Sequence, residues 1–149
     1  YAELKQYKDE RQKGIRRIFT EQLLGELIDQ RSSIISYLKD VKRHPEGLNE
    51  RSNGILTAVN GFANEILSRI ENYDAECFHS KPGDPFDSSR QTILKKVETK
   101  NKQAHKTIEK SMMDGFLLEG KVFKKESVSV YLYRPSAVDK EIRNEEGAN

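Results

Sequence analysis

The sequence has little of what most compact domains depend on. Apolar residues make up 35% of its 149 residues, tryptophan is absent, and only four prolines are present. A compact globular domain usually has roughly 45–50% apolar residues. No apolar run approaches the roughly 18–20 residues that span a bilayer, and no signal-peptide pattern is present. Charged residues reach 34%, a composition that folds when long helices bury narrow apolar stripes, often against a partner. We therefore expect an elongated protein that forms oligomers.

Residues for catalysis and metal binding are also scarce. The single cysteine, Cys77, excludes a disulfide within the chain and suits a reducing compartment, so we expect a cytoplasmic protein. His44, His79 and His105 are scattered, a pattern that does not resemble a zinc site. His79 follows Cys77 by two residues, but we interpret Cys77 as a packing residue rather than a nucleophile. No phosphate-binding glycine loop and no nucleophile elbow occurs. The sequence therefore predicts no catalytic residue, no metal site and no cofactor, and the protein is not expected to be an enzyme.

The charges are nearly balanced, with 26 Lys and Arg against 24 Asp and Glu and a net charge of +2. One segment is basic, and only Glu98 and Glu109 interrupt it. Its lysines are Lys95, Lys96, Lys100, Lys102, Lys106 and Lys110. They bind an anionic partner or protect an exposed sheet edge, and we favour the second interpretation. No aromatic residue is interleaved for stacking on bases, so nucleic acid is not the expected partner.

The first half of the chain predicts a long amphipathic helix. From residue 2 to about 42, apolar residues recur three and four positions apart, most densely from Ile18 to Val41. The opening, residues 1–17, is charged nearly all round. It is either the end of a longer dimerising stalk or a solvated helix end, and the pattern does not choose between these two.

A second helix is expected after a break at residues 44–47. Pro45 cannot continue the helical hydrogen bonds, and Gly47 suits a turn. Asn49 is a plausible N-cap for a helix that reaches about Tyr73. A short loop between two amphipathic helices predicts an antiparallel helical hairpin. Two helices make a thin core, so we expect dimerisation into a four-helix bundle that buries both apolar stripes.

The period changes after the helices. Proline, glycine and short polar residues in the stretch 74–89 predict a linker loop. Gln91 to Thr99 and Thr107 to Met113 are candidate strands, although periodicity leaves helix and strand both open for residues 90–113. The stretch from Gly115 to Tyr133 predicts a β-hairpin, because the two-residue turn Glu119-Gly120 lies between β-prone arms.

The expected fold class is therefore α+β, with a dimeric four-helix bundle followed by a small C-terminal β domain. Residues 1–73 are the helical stalk end and hairpin, 74–89 the linker, 90–134 the β-sheet domain, and 135–149 a polar flexible tail.

Three motifs in this order resemble the GrpE family, the nucleotide exchange factors of DnaK-type heat-shock chaperones. The segment Phe19–Asp29 resembles the family's paired leucines followed by an aspartate, and Pro85-Phe86-Asp87 resembles its loop before the β domain. The segment Gly115–Lys124, followed by an alternating valine strand, is similar to the family's hairpin pattern. The sequence departs from that pattern at Lys121 and Lys124, where the family usually has arginine, and a lysine offers a point charge rather than a planar fork.

The resemblance implies a homodimer whose β domain binds the nucleotide-binding domain of a DnaK-type chaperone and promotes ADP release, with no cofactor of its own. The implied chaperone-binding residues are Lys121, Lys124, Phe116, Leu118 and Phe123. The dimerisation candidates are Leu23, Leu24, Leu27, Ile34, Val59, Phe62, Ile66 and Ile70.

Two details of the hairpin follow from its turn. A turn at Glu119-Gly120 sets Phe116 opposite Phe123. Strict alternation places Lys121 and Lys124 on opposite faces, so both reach one partner only at an edge or past a bulge.

The sequence also allows two other functions. The lysine-rich segment allows a basic coiled-coil adaptor or a nucleic-acid-associated structural protein without exchange activity. A GrpE-like protein that has kept the fold and lost its chaperone is a third possibility.

Overall fold

A computed structural model describes residues 1–135, and the expected tail beyond Pro135 lies outside the described residues. Two long helices precede a set of short strands, so the predicted α+β class is confirmed. The chain divides into two compact units. We call Tyr1–Glu76 the helical unit, and the unit that begins at Cys77 the β unit.

The helical unit contains α1, Ala2–Arg43, and α2, Glu50–Glu71. Both helices occur where the apolar period predicts them. Between them Gly47 adopts a left-handed φ of 83°, which glycine tolerates without strain. Asn49 caps α2 through a reciprocal pair of hydrogen bonds: the Ser52 N–H donates to the Asn49 side chain at 2.9 Å, and the Asn49 N–H donates to Ser52 Oγ at 2.8 Å.

The core of the helical unit is narrow. α1 packs against α2, and the buried apolar side chains of the two helices are Leu24, Ile28, Leu38, Ala63 and Ile70. Much of the remaining apolar stripe stays exposed, including Phe62 at 58%. One pair of helices therefore buries only part of the apolar surface that the sequence provides.

The strands form two three-stranded sheets with the orders β1-β4-β5 and β2-β6-β3, and all of them except the first two residues of β1 belong to the β unit. The strands are β1 Ala75–Phe78, β2 Gln91–Thr99, β3 Ile108–Met113, β4 Gly115–Leu118, β5 Lys121–Lys124 and β6 Glu126–Tyr133. The segments left open between helix and strand are strands. The stretch expected to be a linker loop contains β1, and a short 3-10 helix, Lys102–Ala104, lies between β2 and β3.

The predicted second arm of the hairpin is in fact two strands in two sheets. β5 ends at Lys124, and β6 begins at Glu126 as the central strand of the other sheet, parallel to β2 and antiparallel to β3. Alternation along residues 121–133 could not reveal this change of sheet, because both strands have the same period. The core of that sheet consists of Ile108, Val128 and Val130, with Phe86 and Ile93 packed against them.

Candidate partner-binding hairpin

The candidate site is the hairpin formed by β4 and β5, residues 115–124. Its turn is as predicted: Glu119 and Gly120 have φ values of 51° and 75°. Two consecutive positive φ angles are typical of a type I′ turn, whose twist matches that of the flanking strands. Glycine accepts this conformation at little cost, whereas Glu119 adopts it as one of the few residues other than glycine with positive φ in the described chain.

The register of the hairpin corrects one prediction. Leu118 pairs with Lys121, but a register shift then places Phe116 opposite Lys124 rather than Phe123. The shift leaves one extra residue on β5, which is a β-bulge. A bulge interrupts the strict alternation that would place Lys121 and Lys124 on opposite faces. With this bulge in β5, both lysines can contact the same partner surface.

The predicted contact residues differ in accessibility. Lys121 is exposed, and Lys124, Leu118 and Phe123 are half-buried. Phe116 has no exposed surface, so it supports the hairpin from inside and cannot offer its ring to a partner without rearrangement. The sequence prediction missed Val122, which is 37% exposed beside Lys121. The accessible part of the hairpin therefore combines a positive charge with apolar surface.

One end of the hairpin is pressed against an aromatic ring. Gly115 is buried, and a Cβ placed on it would lie 2.7 Å from ring atoms of Phe78. The guanidinium carbon of Arg90 lies 4.7 Å from the centroid of the same ring, a cation–π geometry. Only glycine leaves room for this approach between the start of β4 and β1.

The other end of the hairpin leads directly into a buried carboxylate. Glu126, the first residue of β6, has no exposed surface. Its carboxylate accepts hydrogen bonds from the Ser80 N–H at 2.7 Å, the Ser80 hydroxyl at 2.6 Å and the Gln91 amide at 3.1 Å. Burial raises the pKa of Glu126, but hydrogen bonds from Ser80, Ser111 and Gln91 outweigh it, so the pKa lies below the ordinary 4.5. Glu126 is therefore a carboxylate in the folded protein at neutral pH.

The sequence prediction missed this cluster, and its separation along the chain explains why. Ser80 and Glu126 are 46 residues apart, and Gln91 and Glu126 are 35 apart. No local motif links a serine, a glutamine and a glutamate at such spacings, and a glutamate that opens a strand ordinarily indicates an exposed position. The pairing of β2 with β6 sets Gln91 beside Glu126, and the connection before β2 brings Ser80 to the same carboxylate.

The Pro85-Phe86-Asp87 motif has a structural role in the β unit. Phe86 packs on the core of the β2-β6-β3 sheet. The Asp87 carboxylate accepts the Ser89 hydroxyl at 2.6 Å and the Ser89 N–H at 2.8 Å, and these bonds lower its pKa. The motif therefore anchors the segment that leads into β2.

The dimerisation candidates also differ in exposure. Leu24 and Ile70 are fully buried within the single chain, so their burial does not require a second copy. Leu23 and Phe62 remain largely exposed. Half-buried positions are Leu27, Ile34, Val59 and Ile66.

Residues 1–135 contain neither a candidate metal site nor a candidate membrane span. Their His, Cys, Asp and Glu side chains form no group of three or more that could hold a metal ion. None of the described helices is long and apolar enough to cross a bilayer.

Comparison with protein families gives a match that covers most of the chain. The family model for GrpE matches residues 1–131, which include the helical unit and all of the β unit up to Tyr131. Among curated proteins, none matches the sequence.

Proposed function

Because this chain belongs to the GrpE family, we propose that it is a nucleotide exchange factor for a DnaK-type chaperone. In this proposal it is a co-chaperone rather than an enzyme: it binds the nucleotide-binding domain, favours an open cleft and so promotes ADP release. The family match across residues 1–131 is the observation that carries the proposal, because it includes both the helices and the hairpin. The lone cysteine fits a cytoplasmic location, which is part of the proposal.

The mechanism is thermodynamic linkage. A factor that binds the open form of the chaperone more tightly weakens ADP binding by the same ratio by which ADP weakens the factor. A thousandfold weakening of ADP requires about 4 kcal/mol of differential binding. No group on this chain needs to touch the nucleotide.

We assign the chaperone contact to the accessible part of the hairpin. Lys121 is exposed and has no ion pair within the described residues, so its charge is available to an acidic partner surface. Val122, Leu118 and Phe123 supply apolar surface beside it, and Lys124 adds a second, half-buried cation. Apolar surface around a charge is the composition expected of a specific protein contact.

We further propose that the helical unit forms a homodimer. Ile55, Val59, Phe62 and Ile66 follow one another at intervals of four, three and four residues, a heptad spacing on α2. Ile55 and Phe62 are mostly exposed in the single chain. A second copy that packs against this stripe would bury apolar surface that one pair of helices leaves in water.

The test is release of a fluorescent ADP analogue from the cognate DnaK-type chaperone, chased with excess ATP. Addition of the wild-type protein is expected to accelerate the loss of fluorescence, with a rate that saturates as the protein concentration rises. If a saturating concentration leaves the rate unchanged, the exchange-factor proposal is wrong.

The lysines between β2 and β3 support a second candidate function, that of a basic adaptor that binds nucleic acid. Lys95 and Lys96 lie on the edge strand β2, and Lys110 lies on the edge strand β3, where lysines protect a sheet edge. The lysines that this explanation does not cover are Lys100, Lys102 and Lys106, which lie in the β2–β3 connection. Binding of duplex DNA or RNA with a steep salt dependence would support this second function, because phosphate contacts release counterions.

A further inference from the structure

Both ends of the hairpin rest on the same short segment of the chain. At the start of β4, Gly115 lies against the ring of Phe78. After the end of β5, the Glu126 carboxylate accepts both donors of Ser80 and the amide of Gln91. Phe78, Ser80 and Gln91 all belong to the stretch that leads from β1 into the first residue of β2.

Arg90 takes part at both ends. Its guanidinium lies over the Phe78 ring at 4.7 Å, and its backbone carbonyl accepts the Glu126 N–H at 3.0 Å. One neighbouring contact reinforces the second end: the Lys125 ammonium donates to the Ser88 carbonyl at 2.7 Å. The two points at which the hairpin joins the rest of the β unit are therefore connected through Arg90.

We propose that Phe78, Ser80, Arg90 and Gln91 form a clamp on the base of the hairpin, and that Glu126 is the positioning residue through which the clamp presents Lys121 to the chaperone. We call these four residues the hairpin clamp. The presentation to a chaperone rests on the proposed function. The positioning of the hairpin by Glu126 does not.

The physical reason lies in how little holds a two-stranded hairpin by itself. An isolated hairpin is marginally stable in water, and only the four-residue strand β1 extends this one in the sheet β1-β4-β5, so its shape and direction depend on what else holds its base. A binding tip that moves must be ordered when the partner binds, and this ordering lowers the affinity without removing any contact. A clamped base reduces that cost before the partner arrives.

The Glu126 carboxylate suits this role because its several hydrogen bonds depend on one another. Hydrogen bonds to a charged acceptor are roughly twice as strong as those between neutral groups. A buried carboxylate that loses its donors is costly, so Glu126 and its donors favour one arrangement. The Gln91 amide also donates to the Ser80 hydroxyl, which closes the cluster.

The variant that tests the proposal is Glu126→Gln. It keeps the size of the side chain and one oxygen, but its NH₂ group faces donors where an acceptor is needed. Glu109→Gln is the matched control. Glu109 lies on β3 and accepts the Ser129 hydroxyl, so it is also a partly buried carboxylate bonded to a serine, and it does not contact the hairpin clamp.

The first measurement is amide hydrogen exchange in the isolated protein. Glu126→Gln is expected to accelerate exchange in β4 and β5 by about tenfold or more, while the centre of β6 keeps its protection and any change in β3 stays near Ser111, which also donates to Glu126. Glu109→Gln is expected to leave β4 and β5 unchanged. Equal acceleration throughout the β unit, or none in the hairpin, would show that Glu126 has no specific hold on it.

The second measurement is a double-mutant cycle on chaperone affinity, at a temperature where every variant is folded. We expect Lys121→Ala to weaken binding about threefold in the wild-type background. The double variant with Glu126→Gln is expected to bind the chaperone only slightly more weakly than Glu126→Gln alone. When the base of the hairpin is no longer fixed, the Lys121 charge is not held in position to contact the partner. Lys121→Ala should keep its threefold effect when combined with Glu109→Gln. If the effects of Lys121→Ala and Glu126→Gln simply multiply, Glu126 does not act through the hairpin tip.

The two measurements separate the two proposals. A wild-type protein that fails to bind or accelerate the chaperone refutes the proposed function, and hydrogen exchange still decides whether Glu126 holds the hairpin. A wild-type protein that is active, with multiplicative effects and unchanged exchange in β4 and β5, refutes the positioning role alone.

Discussion

Gly115 and Phe78 approach each other so closely that no side chain fits between them. A Cβ on Gly115 would lie 2.7 Å from the ring atoms Cε1 and Cε2. The Arg90 guanidinium also lies over this ring, 4.7 Å from its centroid. Gly115→Ala is therefore expected to lower the free energy of unfolding by about 1–3 kcal/mol, the usual cost of overpacking a filled site. Urea unfolding measures this change.

Gly120→Ala is the control for Gly115→Ala. Gly120 has no atom within 4 Å of the added Cβ, but its φ is 75°. Gly120→Ala is expected to lower the free energy of unfolding by about 1 kcal/mol through backbone strain alone. A second change, Phe78→Leu, should not reduce this loss. The same Phe78→Leu change is expected to offset part of the cost of Gly115→Ala. If it offsets none, the ring is not the cause.

The stability of the β unit is expected to depend on pH through Glu126. Its pKa in the folded protein lies below the ordinary 4.5, so the unfolded chain binds a proton more readily. The contribution of the carboxylate to stability is therefore fully present above pH 4.5 and is lost as the pH falls through the folded-state pKa. Glu126→Gln should be less stable at neutral pH, and its stability should fall less steeply between about pH 5 and pH 2.

Asp87 defines the control for this pH dependence. Its pKa is also lowered, by hydrogen bonds from Ser89, and Glu126→Gln leaves them in place. The variant should therefore keep a smaller dependence in the acid range. Parallel stability curves for wild type and variant would contradict the assignment to Glu126.

Charge reversal at the hairpin tip is expected to weaken chaperone binding. Lys121 is exposed, so Lys121→Glu should leave the unfolding temperature nearly unchanged and lower the affinity about three- to tenfold. The loss should shrink as salt is added, because salt screens exposed charges. Titration of the labelled protein with chaperone at two salt concentrations measures both effects. Lys102→Glu makes the same charge change outside the hairpin, and an equal loss there would place the contact elsewhere.

Self-association is expected to depend on Phe62. The side chain is 58% exposed in the single chain and belongs to the heptad stripe of α2. Phe62→Ser should weaken the homodimer more than tenfold, because each copy loses an apolar side chain worth about 1.5–3 kcal/mol when buried. Sedimentation over a range of concentrations measures the change. Tyr37→Ser is the matched control: Tyr37 is 61% exposed but is not one of the predicted contacts.

Replacing a glycine inside α2 is expected to raise stability, in contrast to Gly115→Ala. A Cβ on Gly54 meets no atom within 4 Å. Alanine in a helix interior is favoured over glycine by about 1 kcal/mol, so Gly54→Ala should stabilise the helical unit by up to that amount. Thermal unfolding measures the gain. A loss of stability, accompanied by weaker self-association, would indicate that the second copy packs directly on Gly54.

The sequence predicted the features that depend on neighbours along the chain. An apolar period of three and four residues, a proline break and an asparagine cap are local, so α1 and α2 were predicted nearly to the residue. The Glu119-Gly120 turn was predicted for the same reason, because positive φ angles are a property of the turn itself. The GrpE resemblance also rested on short motifs, and the family match over residues 1–131 confirms it.

Tertiary structure decided what depends on distant segments. Periodicity cannot tell that β5 and β6 belong to different sheets, that a bulge sets Phe116 opposite Lys124, or that Phe116 is buried. These outcomes follow from strand pairing, in which the energy comes from residues far apart in sequence. Gly115 and Glu126 are the plainest examples. The sequence alone presents a glycine and a glutamate in a β-rich stretch. In the folded chain, the Phe78 ring leaves no room for a side chain at Gly115, and the Ser80 donors require an acceptor at Glu126.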